Sequence, residues 1–229
     1  MSLKTSYRFI APFYNAFVDR ATRHARQQSL ARLPQKKILQ QNLAQQTSPQ
    51  ENSAEVLLNG VGTGLDFPYL PPQHAYTALD ITAAMLAQAQ RKAHALNIHA
   101  SPHLNTRHHL EIQWLRGDSM SLPFVANRFD YVILHLIVAV VPHPALCLSE
   151  ASRVLKPGGR ILLFDKFLRT GEHAWLRRAL TPLVGQLATR LDVVFEDLLP
   201  AAPDLQVISD EPILAQGWFR LIELQKNFN

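Results

Sequence analysis

The chain has 229 residues, 47% hydrophobic and 18% charged, with 23 Lys and Arg against 18 Asp and Glu for a formal charge of +5. That balance excludes a disordered chain and a coiled coil, and the length suits one domain of roughly 150 to 250 residues, with or without an appendage. The charge is unevenly spread: residues 1 to 54 hold eight basic and two acidic side chains, net +6, which leaves a net of −1 for the remaining 175. The basicity belongs to an N-terminal segment, which argues against a protein that coats nucleic acid. The single Cys147 excludes an intrachain disulfide and fits a reducing compartment. The opening MSLKTSYRF has no apolar core of a signal peptide, and the longest apolar run, Val132 to Val141, is broken by His135. That run is far short of the ~20 residues of a membrane-spanning helix. The expectation is a cytoplasmic protein, soluble or peripheral on the inner face of a membrane.

Residues 7 to 33 read as an amphipathic helix, with Phe9, Phe13 and Phe17 recurring four apart, Ile10, Tyr14, Val18 and Ala21 beside them, and Arg20, Arg23 and Arg26 following at three-residue spacing. Residues 34 to 54 are Gln-rich and polar and read as a connector, so the division expected is a segment 1–54 and a domain 55–229. From Glu55 the pattern becomes α/β, strands alternating with helices, as in a parallel sheet covered on both faces. Strands are expected at Val56 to Leu58, Tyr76 to Leu79, Ile112 to Leu115, Tyr131 to Leu134, Arg160 to Phe164, Leu205 to Ser209 and Trp218 to Leu224. Helices are expected at Thr82 to Leu96, capped by Thr82, at Pro144 to Val154, and at about Ala174 to Leu191. Residues 97 to 110, with His99, His103, His108 and His109, read as a surface insertion. Those histidines lack defined ligand spacing and cysteines, so no metal set is assigned and any need for a divalent metal stays open.

Three of nine glycines lie within five residues, Gly60, Gly62 and Gly64, directly after the first strand, and Gly158 and Gly159 are adjacent. A strand followed by G-x-G-x-G lets a ligand approach the backbone closely. A nicotinamide-binding turn prefers G-x-G-x-x-G, and here the third glycine comes one residue early. Asp80 ends the second strand, where a carboxylate is able to accept both hydroxyls of a ribose, and Asp118 ends the third, where an adenine amino group fits. As plain structural residues, Asp80 would cap the next helix and Asp118 would make a turn. Ligands of open parallel sheets sit at the carboxyl ends of the strands.

These runs resemble the class I S-adenosylmethionine-dependent methyltransferases: GVGTG, then ALDIT with AAML, RGDSMSLPF, RFDYVILH, and Arg153-Val-Leu-Lys-Pro-Gly-Gly, in order from about Glu55 to Phe167. The resemblance implies a Rossmann-like class I methyltransferase fold, a mostly parallel seven-stranded sheet with helices on both faces, preceded here by the N-terminal amphipathic segment. It implies S-adenosyl-L-methionine as co-substrate, held by Gly60, Gly62, Thr63 and Gly64 at the methionine portion, Asp80, Ile81 and Met85 at the ribose side, Asp118 and Ser119 at the adenine, and His135 at the pocket wall. One position departs: where most relatives carry Asp or Glu before the turn, this chain has Asn59. Either Asp66 supplies the missing charge or the methionine arm lies differently; a tolerated isostere with ordinary methyl transfer is the plain alternative.

Outside the core, Tyr7-Arg-Phe-Ile-Ala-Pro-Phe-Tyr resembles the opening of ubiquinone and menaquinone C-methyltransferases and of bacterial phospholipid N-methyltransferases. LNGVGTGLD followed by LDIT looks like the rhodoquinone biosynthesis proteins, which exchange a ring methoxy group of ubiquinone for an amino group. That resemblance implies the same reaction here, with methylation of phosphatidylethanolamine or of a quinone ring as the alternative. A non-catalytic protein of this fold that binds a partner through its basic helix is a third reading, against which Asp80 and Asp118 weigh. His135 as general base, Arg220 as an anchor for a carboxylate or quinone oxygen, and Tyr14 on the aromatic helix face are the catalytic candidates; His135 and Arg220 also have plain structural readings. The partners implied are a membrane quinone or lipid and, through the basic helix, an anionic membrane surface. The helix is as readily a lid on the core.

Overall fold

The computed structural model describes residues 19–35, 53–96, 110–168 and 193–228. Phe9, Phe13, Phe17 and Tyr14, most of the polar connector, the His-rich insertion and the helix expected at about Ala174 to Leu191 lie outside the described residues.

Seven strands form one sheet: β1 (Glu55–Asn59), β2 (Ala75–Asp80), β3 (Glu111–Arg116), β4 (Phe129–His135), β5 (Leu155–Lys166), β6 (Leu205–Leu214) and β7 (Phe219–Lys226). Their order is β3-β2-β1-β4-β5-β7-β6. The first five are parallel, and β7 pairs antiparallel with both β5 and β6. The strand order reverses at β1, which has β2 on one side and β4 on the other, so a crevice opens above the carboxyl ends of β1 and β4.

Alternation along the strands sends successive side chains to opposite faces. Leu57, Leu79, Leu134 and Leu163 meet Cys147, Leu148, Ala151 and Val154 of helix α3 (Pro144–Val154). Val56, Leu58, Tyr76, Ala78 and Ile133 meet Leu86, Ala89 and Ala93 of helix α2 (Ala83–Ala95), together with Leu30 and Leu33. The helix over residues 19–30, α1, therefore shares a face with α2, and its Ala25 packs on Phe164 and Leu221. Thr82 caps α2 as expected, its hydroxyl accepting from the Met85 amide at 3.3 Å.

Two strands run longer than their apolar cores suggest. β5 starts at Leu155, paired with Phe129, and the Lys156-Pro-Gly-Gly run is a bulge before regular pairing resumes at Tyr131 with Arg160. That puts Gly158 and Gly159 at the end of the sheet opposite the crevice. β6 continues through Asp210, Glu211 and Pro212 because it is an edge strand, where charges and a proline are tolerated and protect the open edge.

Candidate functional site

The turn after β1 is built by its glycines. Gly60, Gly62 and Gly64 have φ of +76°, +55° and +75°, and the amides of Gly60 and Val61 both bond the Leu79 carbonyl at 2.9 Å, folding the turn back over β2. A methyl group at Gly60 would lie 2.6 Å from Ile137 Cγ1, and one at Gly64 would lie 2.2 Å from Phe67 Cε2. Gly62 differs: its nearest neighbour is the Gly60 carbonyl at 4.0 Å, so this side of the turn is open to a ligand. Thr63 lines a cavity of about 290 Å³ with Leu65, Gln88, Arg91 and Lys92, between the turn and α2.

Asp80 knits the turn to α2. Its Oδ2 accepts from the Gly62 amide at 3.0 Å, and its Oδ1 from the Thr82 amide and hydroxyl at 2.9 and 3.0 Å. Ile81 follows with 56% of its surface exposed, an apolar platform on the rim, and Met85 is half-buried one turn into α2. Asp118 closes a turn whose side chain takes the Met120 amide at 2.8 Å, with Ser119 buried beside it. Glu150 and Arg153 of α3 fix the segment that follows, bonding the Leu122 amide and the Leu122 and Phe124 carbonyls. Turn glycines, Asp80, Ile81 and Asp118 thus share one rim.

Asn59 ends β1 on the α3 face by strand alternation. It is 2% exposed, and neither its side-chain nitrogen nor its oxygen has a hydrogen-bond partner. A buried amide left wholly unpaired costs about 1–3 kcal/mol per polar group, a cost that a bound polar ligand removes. The unpaired amide, the open side of Gly62 and the two strand-end aspartates fit S-adenosylmethionine, which when bound supplies an electrophilic sulfonium.

His135, at the end of β4, faces the other side, toward α1. Its Nδ1 stands 2.8 Å from Asp66 Oδ1 and its Nε2 2.8 Å from the Ser29 hydroxyl. The same Asp66 oxygen accepts from Arg26 Nη1 at 2.6 Å, and Arg26 Nε donates to Thr22 Oγ1 at 3.1 Å. Burial works to raise the Asp66 carboxyl, but His135 and Arg26 outweigh it and hold it well below the usual carboxylate range. With Asp66 ionised, His135 Nδ1 donates to it. Both ring nitrogens are engaged.

Arg220, on β7 opposite Asp165, is buried in its own ion cluster. Its Nε donates to Asp210 at 2.9 Å, its Nη2 to Asp210 and to Glu196, the latter at 2.7 Å, and the guanidinium lies 5.4 Å above the Phe195 ring. Nη1 has no partner. Tyr14 lies outside the described residues.

Sequence reasoning named Arg26 only as one of a basic series and gave no role to Thr22, Ser29 or Asp165. The signal for the first two was the spacing of 22, 25, 26, 29, 30 and 33, a helical stripe of small, polar and apolar residues that is buried throughout. Asp165, fully buried, has its carboxyl pushed up by desolvation and takes the Ala139 and Lys166 amides at 2.9 and 2.8 Å. It anchors the segment after β4, from which Ile137 packs on Gly60. A separate cavity of about 220 Å³, reached by Glu55, Thr77 and Glu111, lies at the amino ends of β1 to β3, away from the crevice.

The family model of a methyltransferase domain matches residues 57–163. The phosphatidylethanolamine N-methyltransferase of Cereibacter sphaeroides is 30% identical over 172 residues, covering 75% of this chain and 79% of that enzyme. The ubiquinone/menaquinone biosynthesis C-methyltransferase UbiE of Roseobacter denitrificans is 34% identical over 89 residues, 39% of this chain and 32% of that enzyme. Among solved structures, an S-adenosylmethionine-dependent methyltransferase from Methanosarcina mazei superposes with a TM-score of 0.55 at 20% identity, over 77% of this chain and 94% of its own. The glycine turn, the strand-end aspartates, the 3-2-1-4-5-7-6 sheet and these likenesses together establish that the chain is an enzyme of the class I S-adenosylmethionine-dependent methyltransferase superfamily.

Proposed function

We propose that the enzyme acts on a membrane quinone and exchanges a ring methoxy group of ubiquinone for an amino group, giving rhodoquinone, with S-adenosylmethionine as the nitrogen donor. The observation that supports this reading is the charge at the glycine turn. Asn59 brings a neutral, unpaired amide to the place where a carboxylate is usual, and the Asp66 carboxylate is already ion-paired with Arg26 and hydrogen-bonded to His135. An anionic partner would hold the ligand's amine protonated and non-nucleophilic; here neither residue offers an uncommitted anion. Asp80 and Asp118 keep the adenosine half anchored, and the exposed Ile81 gives it an apolar surface. His135 and Arg220 are each tied into a buried network, and in this reading they orient other groups.

The second reading is methyl transfer to phosphatidylethanolamine or to a quinone ring. It is favoured by the likeness to the phosphatidylethanolamine N-methyltransferase, which spans most of both chains, whereas the match to the quinone enzyme of Roseobacter denitrificans spans about a third of that enzyme. Product mass separates the two. Incubation with S-adenosylmethionine and a membrane lipid extract is expected to yield a quinone lighter than ubiquinone; a heavier phosphatidylethanolamine or quinone refutes amino exchange.

Either substrate places the enzyme at the cytoplasmic face of a membrane, and no helix among the described residues is long and apolar enough to cross one. The outward side of α1 carries exposed Arg20 and Arg23, each worth about 1 kcal/mol near an anionic leaflet. Charge reversal of both, Arg20→Glu with Arg23→Glu, which leaves the docked face of the helix in place, is expected to abolish salt-sensitive binding to anionic liposomes. Unchanged binding returns the segment to the role of a lid.

A further inference from the structure

α1 reaches the cofactor turn through two of its side chains. Arg26 holds Asp66 at 2.6 Å, and Ser29 holds His135, which holds the same Asp66 oxygen at 2.8 Å. Asp66 precedes the one-turn 3-10 helix Phe67–Tyr69. Phe67 in turn fills the space where Gly64 would carry a side chain, and stacks edge-on to Trp114 at 5.8 Å between ring centres. Gly64, Asp66 and Phe67 therefore move as one unit, clamped from above by α1 and from the side by the end of β4. Removing α1 would strip Asp66 of its ion-pair partner and leave it the imidazole and the more distant Lys92, an arrangement that relaxes by moving Asp66 outward and the turn with it.

We propose that Arg26 and Ser29 are positioning residues for the cofactor: by fixing Asp66 and His135 they hold the Gly60–Gly64 turn in its binding conformation. Docking of α1 and binding of the cofactor then strengthen each other, because a ligand that prefers the ordered turn prefers the docked helix by the same factor. Asp66 acts through the turn and is not itself the counter-charge of the ligand's amine. The inference needs only cofactor binding and is the same whichever group is transferred.

The test uses the full chain with S-adenosylhomocysteine as an unreactive probe, reading hydrogen exchange of the residue 19–33 amides and the dissociation constant by calorimetry. Saturation of the wild type is expected to slow exchange across α1 by about tenfold, and Arg26→Gln to raise the dissociation constant by a similar factor while losing that protection. Arg26→Lys, which restores the charge without the two-pronged geometry, is expected to recover part of both. Because the residues act as a unit, adding Asp66→Asn to Arg26→Gln raises the constant no further. Should Arg26→Gln fail to fold, Ser29→Ala, which removes one hydrogen bond, is expected to give a smaller change in the same direction. Exchange of α1 unaffected by saturating ligand in the wild type overturns the proposal, as does strict additivity of the two substitutions.

Discussion

Alanine at each of two turn glycines separates folding from binding. At Gly62, φ is +55° and the added methyl meets nothing closer than 4.0 Å. The penalty is then the left-handed backbone alone, about 1–2 kcal/mol. At Gly60, φ is +76° and the methyl sits 2.6 Å from Ile137, so a comparable backbone term is joined by ~1–3 kcal/mol of overpacking, roughly 2–5 kcal/mol together. Ile137 has little room to yield, because the segment carrying it is pinned at Ala139 by the buried Asp165. Binding is expected to show the opposite order of interest: Gly62→Ala fills the one open side of the turn and weakens S-adenosylhomocysteine by tenfold or more, about 1.4 kcal/mol or above, in a protein that is still well folded. Urea denaturation with its slope gives the first quantity and titration calorimetry the second. Gly62→Ala binding within twofold of wild type would show that the open side is not the cofactor's cradle, and equal stability of the two variants would show that the Ile137 contact is loose.

Arg26→Met strands Asp66 in the interior and is expected to cost about 3–5 kcal/mol in urea denaturation, while Arg26→Met with Asp66→Leu costs less than Arg26→Met alone; a double loss equal to the sum of the singles contradicts a paired interior charge. Since the folded Asp66 gives up its proton more readily than the unfolded chain, its stabilisation is complete above the ordinary carboxylate value near 3.9 and is lost as pH falls through the depressed folded value. Wild type and Asp66→Asn should accordingly differ most in stability at neutral pH and converge on acidification, and a gap independent of pH refutes the assignment. Asp80→Ala removes acceptors from both Gly62 and Thr82 and is expected to abolish measurable S-adenosylhomocysteine binding. Thr82→Ala, which breaks the helix cap, costs about 1 kcal/mol of stability. It leaves the dissociation constant unchanged, and a matching loss of affinity there would mean that the cap, rather than the carboxylate, supports the site.

The parts of the site that could be read from the sequence are those written locally. Gly60, Gly62 and Gly64 follow a strand at once, and Asp80 and Asp118 each end one, so residue type and position in the element carry the same message. The seven strands follow from apolar runs between turn residues, and their ends were misplaced most where apolarity stops well before pairing does, at the Lys156-Pro-Gly-Gly bulge and along the polar edge strand β6. The Arg26, Asp66, His135 and Ser29 cluster was not legible. Its members are 40 and 106 positions apart, and the apparent basic series 20, 23, 26 misleads because a step of three falls short of a full turn. Over two such steps Arg26 turns about 120° away from Arg20, off the solvent side and onto the sheet. At Arg220 the sequence did not show the company kept: Asp210 and Glu196, ten and 24 residues earlier, hold its Nε and Nη2 and leave Nη1 unpaired.

The way α1 is fastened also bears on when it forms. Just past its end, Arg32 bonds Ser209 at 2.7 Å, Glu223 at 3.3 Å and Glu211 at 3.0 Å, contacts spanning 177, 191 and 179 positions, while Arg26 and Ser29 reach Asp66 and His135. A helix near the start of the sequence thus waits for partners from both halves of the sheet, and closing loops of that length is paid in entropy before any contact rewards it. Refolding should show the sheet's signal first and burial of α1 as a distinct late phase, so the crevice acquires its final wall only after the rest of the domain is native.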